Sequence, residues 1–276
     1  MPEGDTVWLA ARRMDAAFAG TVLTAADLRV PASATTDLTG LTVREVRSRG
    51  KHMLTRLEGG ATLHTHFRMD GMWRIDRTGT RWRGGPAHQV RIVLENADWR
   101  ALGLRLHDVA LVRTEAEDTL VGHLGPDLLG PDWDSAEAIR RLSADPGRAL
   151  GEALLDQRNL AGIGNLYQNE TAFLSGYTPW TPVGDIADLP ALVERVRRLM
   201  FANRNHPEQS TTGHLLRGQT HWVYGRARQS CLRCRSSIRI ARLGSPPTDR
   251  AAFWCARCQK GPAPAVGPAD ARTPSL

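Results

Sequence analysis

Residues 231–258 read CLRC-RSSIRIARLGSPPTDRAAFW-CARC. Two Cys-x2-Cys pairs, Cys231/Cys234 and Cys255/Cys258, stand twenty residues apart and account for all four cysteines of the chain. That interval accommodates a short hairpin, so each pair forms a knuckle and the four thiolates close a tetrahedral shell of the kind that holds zinc. Two disulfides are the alternative. They need an oxidising compartment, and the first residues show no basic start, apolar run or small-residue cleavage site of a secretory signal. The expected cofactor is therefore one structural Zn2+, with four protein ligands leaving no position open for chemistry.

Charge sharpens the reading around this segment. Between residues 201 and 260 there are eleven basic residues against Glu208 and Asp249, a surplus of nine in a chain whose whole net charge is +7. A surplus confined to one segment points to nucleic acid as the partner. No apolar run approaches the roughly 18 residues that cross a bilayer, so a cytoplasmic protein without membrane contact is expected. Among 36 basic residues only Lys51 and Lys260 are lysines. Arginine stays charged at any ordinary pH whereas lysine exchanges its proton, which makes Lys51 a candidate for proton transfer.

Upstream of the cysteines the periodicity is helical, in SAEAIRRL (135–142), ALGEALLDQ (149–157), NLYQNETAFLSG (165–176) and PALVERVRRLMFANRN (190–205). Within LDQRNLAGIGNLYQNE, Gly162 and Gly164 allow a tight turn into a helix beginning at Asn165, and backbone N–H groups at such a turn suit a phosphate. Further upstream, HLGPDLLGPDWD reads as a linker. Before it, LTVREVRS, KHMLTRLEGG, ATLHTHFRM, MWRIDRTG and HQVRIVLENADWRAL alternate as antiparallel strands, with turns at Glu58-Gly59-Gly60 and Asn96-Ala97-Asp98. Residues 5–18 form a helix with Val7, Ala11, Met14 and Phe18 on one face, capped by Asp5 or Thr6.

The chain opens MPEGDTVW. Once Met1 is removed, Pro2 presents an α-amino nitrogen on a fixed ring just ahead of a helix. An α-amine has an ordinary pKa near 8 against roughly 10.4 for lysine, so its neutral fraction at neutral pH is on the order of a hundredfold larger. Such an amine attacks a sugar aldehyde carbon to give an iminium, and Glu3 is placed to donate a proton as the sugar ring opens.

PEGDTV, the Arg47–Leu54 stretch RSRGKHML, QRNLAGIGNLY and YGRARQSCLRC…DRAAFWCARCQ together resemble the formamidopyrimidine-DNA glycosylase/endonuclease VIII family, from residue 2 to about 260 and in the family's order. The resemblance implies Pro2 as Schiff-base nucleophile, Glu3 and Lys51 as proton donors, Asn165 as a phosphate ligand and Arg250 as the residue of the δ-elimination step. It implies DNA contacts by His66, Arg68 and Met69 in HTHFRMDGMW, with Met69 as the wedge, and by His123 before LGPD. Arg68 and Asp70 stand where endonuclease VIII proteins tend to carry a glutamine and an aromatic, and His123 where they have an arginine. The arginine–phenylalanine pair of formamidopyrimidine glycosylases has no counterpart, and PEGD agrees with the endonuclease VIII branch. Arg105 and His107 lie near this region without an assigned role.

The implied architecture is α+β and multidomain. A catalytic β-sandwich with an N-terminal helix covers 1–120, a linker 121–133, a helix–two-turn–helix domain 134–225, a four-cysteine zinc-finger β-hairpin 226–262 and a disordered tail 263–276. The implied activity is that of a monomeric, nucleoid-associated base excision repair enzyme. It acts on damaged duplex DNA as a bifunctional glycosylase/AP lyase for oxidised bases, pyrimidines foremost, by β,δ-elimination. The rival readings are a non-catalytic zinc-containing DNA-binding protein, an AP lyase with little glycosylase activity, and a zinc-ribbon RNA- or ribosome-associated protein. The first and last leave Pro2, Glu3 and Lys51 without a purpose.

Overall fold

The computed structural model describes residues 2–81 and 86–264. The chain divides into two compact units, the first running to Leu124 and the second beginning at Gly125. All but the first two residues of the expected tail, 263–276, lie outside the described residues.

The first unit is a β-sandwich headed by a helix. Helix α1 (Gly4–Phe18) is followed by β1 (Ala25–Leu28), β2 (Val43–Arg49), β3 (His52–Leu57), β4 (Ala61–His66), β5 (Met72–Arg77), β6 (Val90–Glu95), β7 (Trp99–Leu104), β8 (Asp108–Arg113) and the short α2 (Asp118–Val121). The strands form two antiparallel four-stranded sheets, ordered β1-β6-β7-β5 and β2-β3-β4-β8. Val7, Ala11, Met14 and Phe18 are buried in one apolar core with Val43, Met53 and Leu63 of one sheet and Ile92, Leu94 and Ala101 of the other. Burying a Val, Met or Phe side chain contributes about 1.5–3 kcal/mol, so the stripe on α1 is a main fastening of the helix to the sandwich. A second fastening is polar: Asp15 Oδ1 accepts from Val46 N–H at 2.7 Å, covering a group on an edge strand.

Both turns read from the sequence form. Gly59 and Gly60, at φ of 80° and 77°, join β3 to β4 in a conformation glycine adopts without steric cost. Asn96 Oδ1 accepts from Asp98 N–H at 3.0 Å and Trp99 N–H at 2.7 Å, an Asx turn between β6 and β7. Helix α1 starts one residue before the expected 5–18, and its N-cap is Glu3 in place of Asp5 or Thr6. Glu3 is extended at the N-cap and its carbonyl accepts from Val7 N–H at 3.1 Å, while Asp5 Oδ1 takes the neighbouring Thr6 N–H at 2.8 Å.

The second unit contains α3 (Ser135–Ser143), α4 (Leu150–Leu155), α5 (Asn165–Ser175), α6 (Leu189–Asn203) and a hairpin of β9 (Arg239–Leu243) and β10 (Arg250–Trp254). Every residue of α5 from Asn165 to Phe173 is buried, five of them polar: Asn165, Gln168, Asn169, Glu170 and Thr171. Buried polar groups need partners, and three of them, Asn165, Asn169 and Glu170, find theirs on distant chain. Asn169 Oδ1 accepts from Phe253 N–H at 2.6 Å, joining α5 to β10. The Glu170 carboxylate accepts from the N–H groups of Trp222, Val223 and Tyr224, each at 2.8 Å, and from the Thr211 hydroxyl. One buried carboxylate thus shapes the segment that leads into the first cysteine pair. Among the described residues, no helix is long and apolar enough to cross a membrane.

Candidate functional site

In the first unit, Pro2 and Glu3 precede α1, which packs against β2 and β3. Pro2 is half-buried, and Glu3 is fully enclosed at 0% exposure, so a carboxyl lies inside the protein at the positive end of a helix. Lys51 lies in the tight turn that joins those two strands. The β2–β3 pairing runs to Arg49↔His52, leaving Gly50 and Lys51 as a two-residue loop. Gly50 has φ of 57°, the left-handed region that hairpin turns demand and glycine supplies.

Beside Lys51 is a cluster that sequence reading does not assemble. Register places His52 opposite His66 and Leu54 opposite His64. His52 Nδ1 lies 2.7 Å from His64 Nε2, its ring meets His66 edge-on at 4.7 Å, and His123 approaches at 6.4 Å between ring centroids. Burial, with the neighbouring imidazoles and Arg68, pushes His52 down to about 3. Burial, Arg68 and Lys51 hold His66 near about 4 against the pull of Asp108, and burial lowers His64 as well. His52, His64 and His66 are therefore neutral at physiological pH: an uncharged, hydrogen-bonded floor next to a cationic lysine. The signal for it was three histidines at alternating strand positions, whose convergence depends on cross-strand pairing.

His66, Arg68 and Met69 fall at the end of β4 and in the loop after it. Met69 is 61% exposed at the loop's apex, and Arg68 reaches across to Asp108 at 2.5 Å. Arg105 and His107, unassigned from sequence, both face Asp70, at 3.0 and 3.4 Å.

In the second unit, Gln157 staples the glycine turn: its Nε2 donates to the carbonyls of Leu155 and Ile163, and its Oε1 accepts from Gly162 N–H at 3.0 Å. Asn165 opens α5 and is buried, with Nδ2 donating to the Ala251 carbonyl of β10 at 2.9 Å. The turn residue and the cysteine hairpin are thereby held together. Arg250 begins β10, exposed, its guanidinium donating to the carbonyls of Thr248 and Asp249 at 2.9 and 3.0 Å.

The four cysteines converge, their sulfurs all within 4.8 Å of one another. Cys231 and Cys258 are 4.0 Å apart and Cys234 and Cys255 3.4 Å. A disulfide needs about 2.0 Å, whereas thiolates at 2.3 Å from a tetrahedral ion stand roughly 3.8 Å from each other. The donor set fits a closed metal shell. Ser236, unremarked in the sequence, places its hydroxyl 2.9 Å from Cys234 Sγ and 3.2 Å from Cys255 Sγ, within reach to donate to these sulfurs if they are metal-bound thiolates.

The histidine cluster makes stability depend on pH. Its folded-state pKa values lie below the unfolded value of about 6.5, so the unfolded chain binds more protons as pH falls. The stabilising contribution is complete above about 6.5 and is lost between there and about 4 for His66 and about 3 for His52, at up to roughly 1.4 kcal/mol per pH unit for each histidine. Thermal melts of the first unit's transition should fall from pH 7.5 to 5.0, and more shallowly in His52→Gln. Equal slopes for the two proteins would refute this role for His52.

Comparison with known proteins shows the family and the fold. Residues 1–110 match the formamidopyrimidine-DNA glycosylase N-terminal domain. The chain is 57% identical to "Probable endonuclease 8 2" of Streptomyces coelicolor over 97% of each protein. It is 45% identical to "DNA-(apurinic or apyrimidinic site) lyase Nei2" of Mycolicibacterium smegmatis, over 94% of this chain and 99% of that one. In fold it is similar to Lactococcus lactis formamidopyrimidine-DNA glycosylase bound to AP-site DNA, with a TM-score of 0.78 at 19% identity, over 94% of this chain and 100% of that one. The chain accordingly belongs to the formamidopyrimidine-DNA glycosylase/endonuclease VIII family, with endonuclease VIII proteins among its near relatives.

Proposed function

We propose that this protein is a bifunctional DNA glycosylase/AP lyase of base excision repair, acting as a monomer on damaged duplex DNA in the cytoplasm, at the nucleoid. The observation that carries the reading is the start of the chain: a proline followed by a wholly buried glutamate at the head of α1, in the same unit as the turn that presents Lys51. Binding DNA calls for none of these. The family's activities, named in its relatives as endonuclease 8 and AP lyase, support the same chemistry.

In this mechanism the damaged nucleotide is turned out of the stack. The Pro2 nitrogen bonds to C1′ of the sugar as the C1′–base bond breaks, and the base departs with a proton. Glu3 protonates O4′ as the C1′–O4′ bond opens, leaving an iminium between Pro2 and C1′. Loss of a C2′ proton expels the 3′ phosphate, and a second elimination expels the 5′ phosphate. Water then hydrolyses the iminium and returns the amine. Lys51 exchanges protons during base departure and the first elimination; Arg250 holds phosphate for the second. Asn165 sits at a phosphate-binding turn, while His66, Arg68, Met69 and His123 face the duplex. The endonuclease VIII kinship supports oxidised pyrimidines as substrates.

Cys231, Cys234, Cys255 and Cys258 would hold one zinc ion, which supplies structure to the β9–β10 hairpin and no step of the reaction. Elemental analysis should find about one zinc per chain. Ser236→Ala should weaken metal retention by roughly 10–100-fold, the usual cost of losing an outer-shell bond, read as faster release to a chelator. Unchanged release would remove Ser236 from the site.

The activity is tested on a gel of end-labelled duplex carrying one thymine glycol, which resolves intact strand, β product and δ product. Wild type should give the δ product, and Pro2→Gly little of either. Lys51→Arg keeps charge but not easy proton exchange, so cleavage should fall about a hundredfold or more with DNA affinity nearly retained. Arg250→Ala should shift δ product toward β product. Intact strand with wild-type protein that binds the duplex would favour a non-catalytic DNA-binding protein.

A further inference from the structure

Strand β3 turns alternate side chains away from the sandwich core. Met53 and Leu57 lie in that core, so alternation puts His52, Leu54 and Arg56 on the outer face. On β4, Leu63 is in the core, which leaves Thr62, His64 and His66 on the same outer face as His52. His52 is paired with His66 and lies diagonal to His64, a separation that aromatic and long side chains bridge. The contact between them is direct. His52 Nδ1 and His64 Nε2 are 2.7 Å apart, so one neutral ring donates to the other.

The surroundings hold this pair in place. His64 is buried and His52 half-buried. His66 meets His52 edge-on, and its own Nδ1 accepts from Arg68 N–H at 3.1 Å, which fixes the hydrogen of the neutral ring on Nε2. Asp108 faces His66 at 3.8 Å but is engaged by Arg68 at 2.5 Å. His123 approaches His52 edge-on from a greater distance. Lys51 directly precedes His52, and its charge acts on His66. A lysine has a flexible four-carbon stem; here the residue that follows it is locked by a ring pair at the foot of its turn.

Resting on the assignment of Lys51 to proton transfer, we propose that His52 and His64 are positioning residues of the reaction, whose hydrogen bond fixes the foot of the Gly50–Lys51 turn and so places the Lys51 ammonium. The side-chain types fit the task. A carboxylate in the place of either ring would also brace the turn, but it would hold the lysine's proton more tightly. A neutral imidazole pair braces without adding charge. Displacing a reacting group by about 1 Å can cost on the order of a hundredfold in rate, so a brace at this turn bears on the chemical step. Both histidines act through Lys51.

The test is the single-turnover rate at which the full-length protein cleaves an end-labelled duplex with one abasic site, set beside its affinity for a duplex carrying a tetrahydrofuran analogue. His52→Ala should slow cleavage about tenfold or more and leave affinity within about threefold. An asparagine nitrogen falls where imidazole Nδ1 stood, and a glutamine nitrogen where Nε2 stood. His52→Asn and His64→Gln should therefore each recover most of the rate. In Lys51→Arg protein, adding His52→Ala should cost little further, because residues that act as one unit do not add. Wild-type cleavage by His52→Ala would overturn the proposal, as would His52→Asn no faster than His52→Ala. A full further loss in the double variant, or affinity that falls together with rate, would overturn it too. Lys51→Arg cleaving at the wild-type rate would instead remove the assignment of Lys51, and the proposal with it.

Discussion

The burial of α1 against the sandwich is the constraint from which the first unit's chemistry follows. Its apolar face is continuous with a core that draws on both sheets, and Asp15 ties the helix to β2 as well. A nucleophile at the end of a chain gains from being held, since positioning a reacting group ahead of time removes part of the barrier. Chain ends are ordinarily loose unless an element fixes them. Here the helix begins at Gly4, two residues from Pro2, and Glu3 is enclosed at its head. The same two strands that receive α1 also form the turn that carries Lys51.

The second unit is organised by the opposite means, a buried polar helix in place of an apolar stripe. Glu170 gathers three consecutive backbone N–H groups from 222–224, and Asn169 and Asn165 hold β10. Removing such a carboxylate would leave several buried donors unsatisfied at once, which costs more than any single hydrogen bond contributes. The cysteine hairpin therefore rests on α5, beside the four sulfurs that could hold a metal ion.

Much of the architecture was legible in the sequence because it is locally encoded. The alternation in 41–102 marked six strands, and the helical stripe of Val7, Ala11, Met14 and Phe18 marked α1. Strands β1 and β8 were not legible. β1 has four residues with only Leu28 buried, and β8 is half-exposed along its length, so neither carries the alternation that identifies a strand. They are strands because β6 and β4 offer edges to pair with. The cysteines could be read as one cluster from spacing, and Lys51 singled out by the scarcity of lysine. The histidine floor, the Glu170 anchor and the Asp70–Arg105 pair could not, because each joins residues brought close by register or by a loop crossing.

The central claim is that the nitrogen of Pro2 bonds to the sugar. Its most direct measurement is to reduce the protein with borohydride on DNA carrying an abasic site, digest the conjugate and locate the modified residue by mass spectrometry. With only two lysines in the chain, the competing amines are Lys51 and Lys260. The account predicts a sugar remnant on the peptide that begins at Pro2, with Met1 gone and both lysines unmodified. A remnant on Lys51 or Lys260, or an adduct formed by protein that retains Met1, would contradict it.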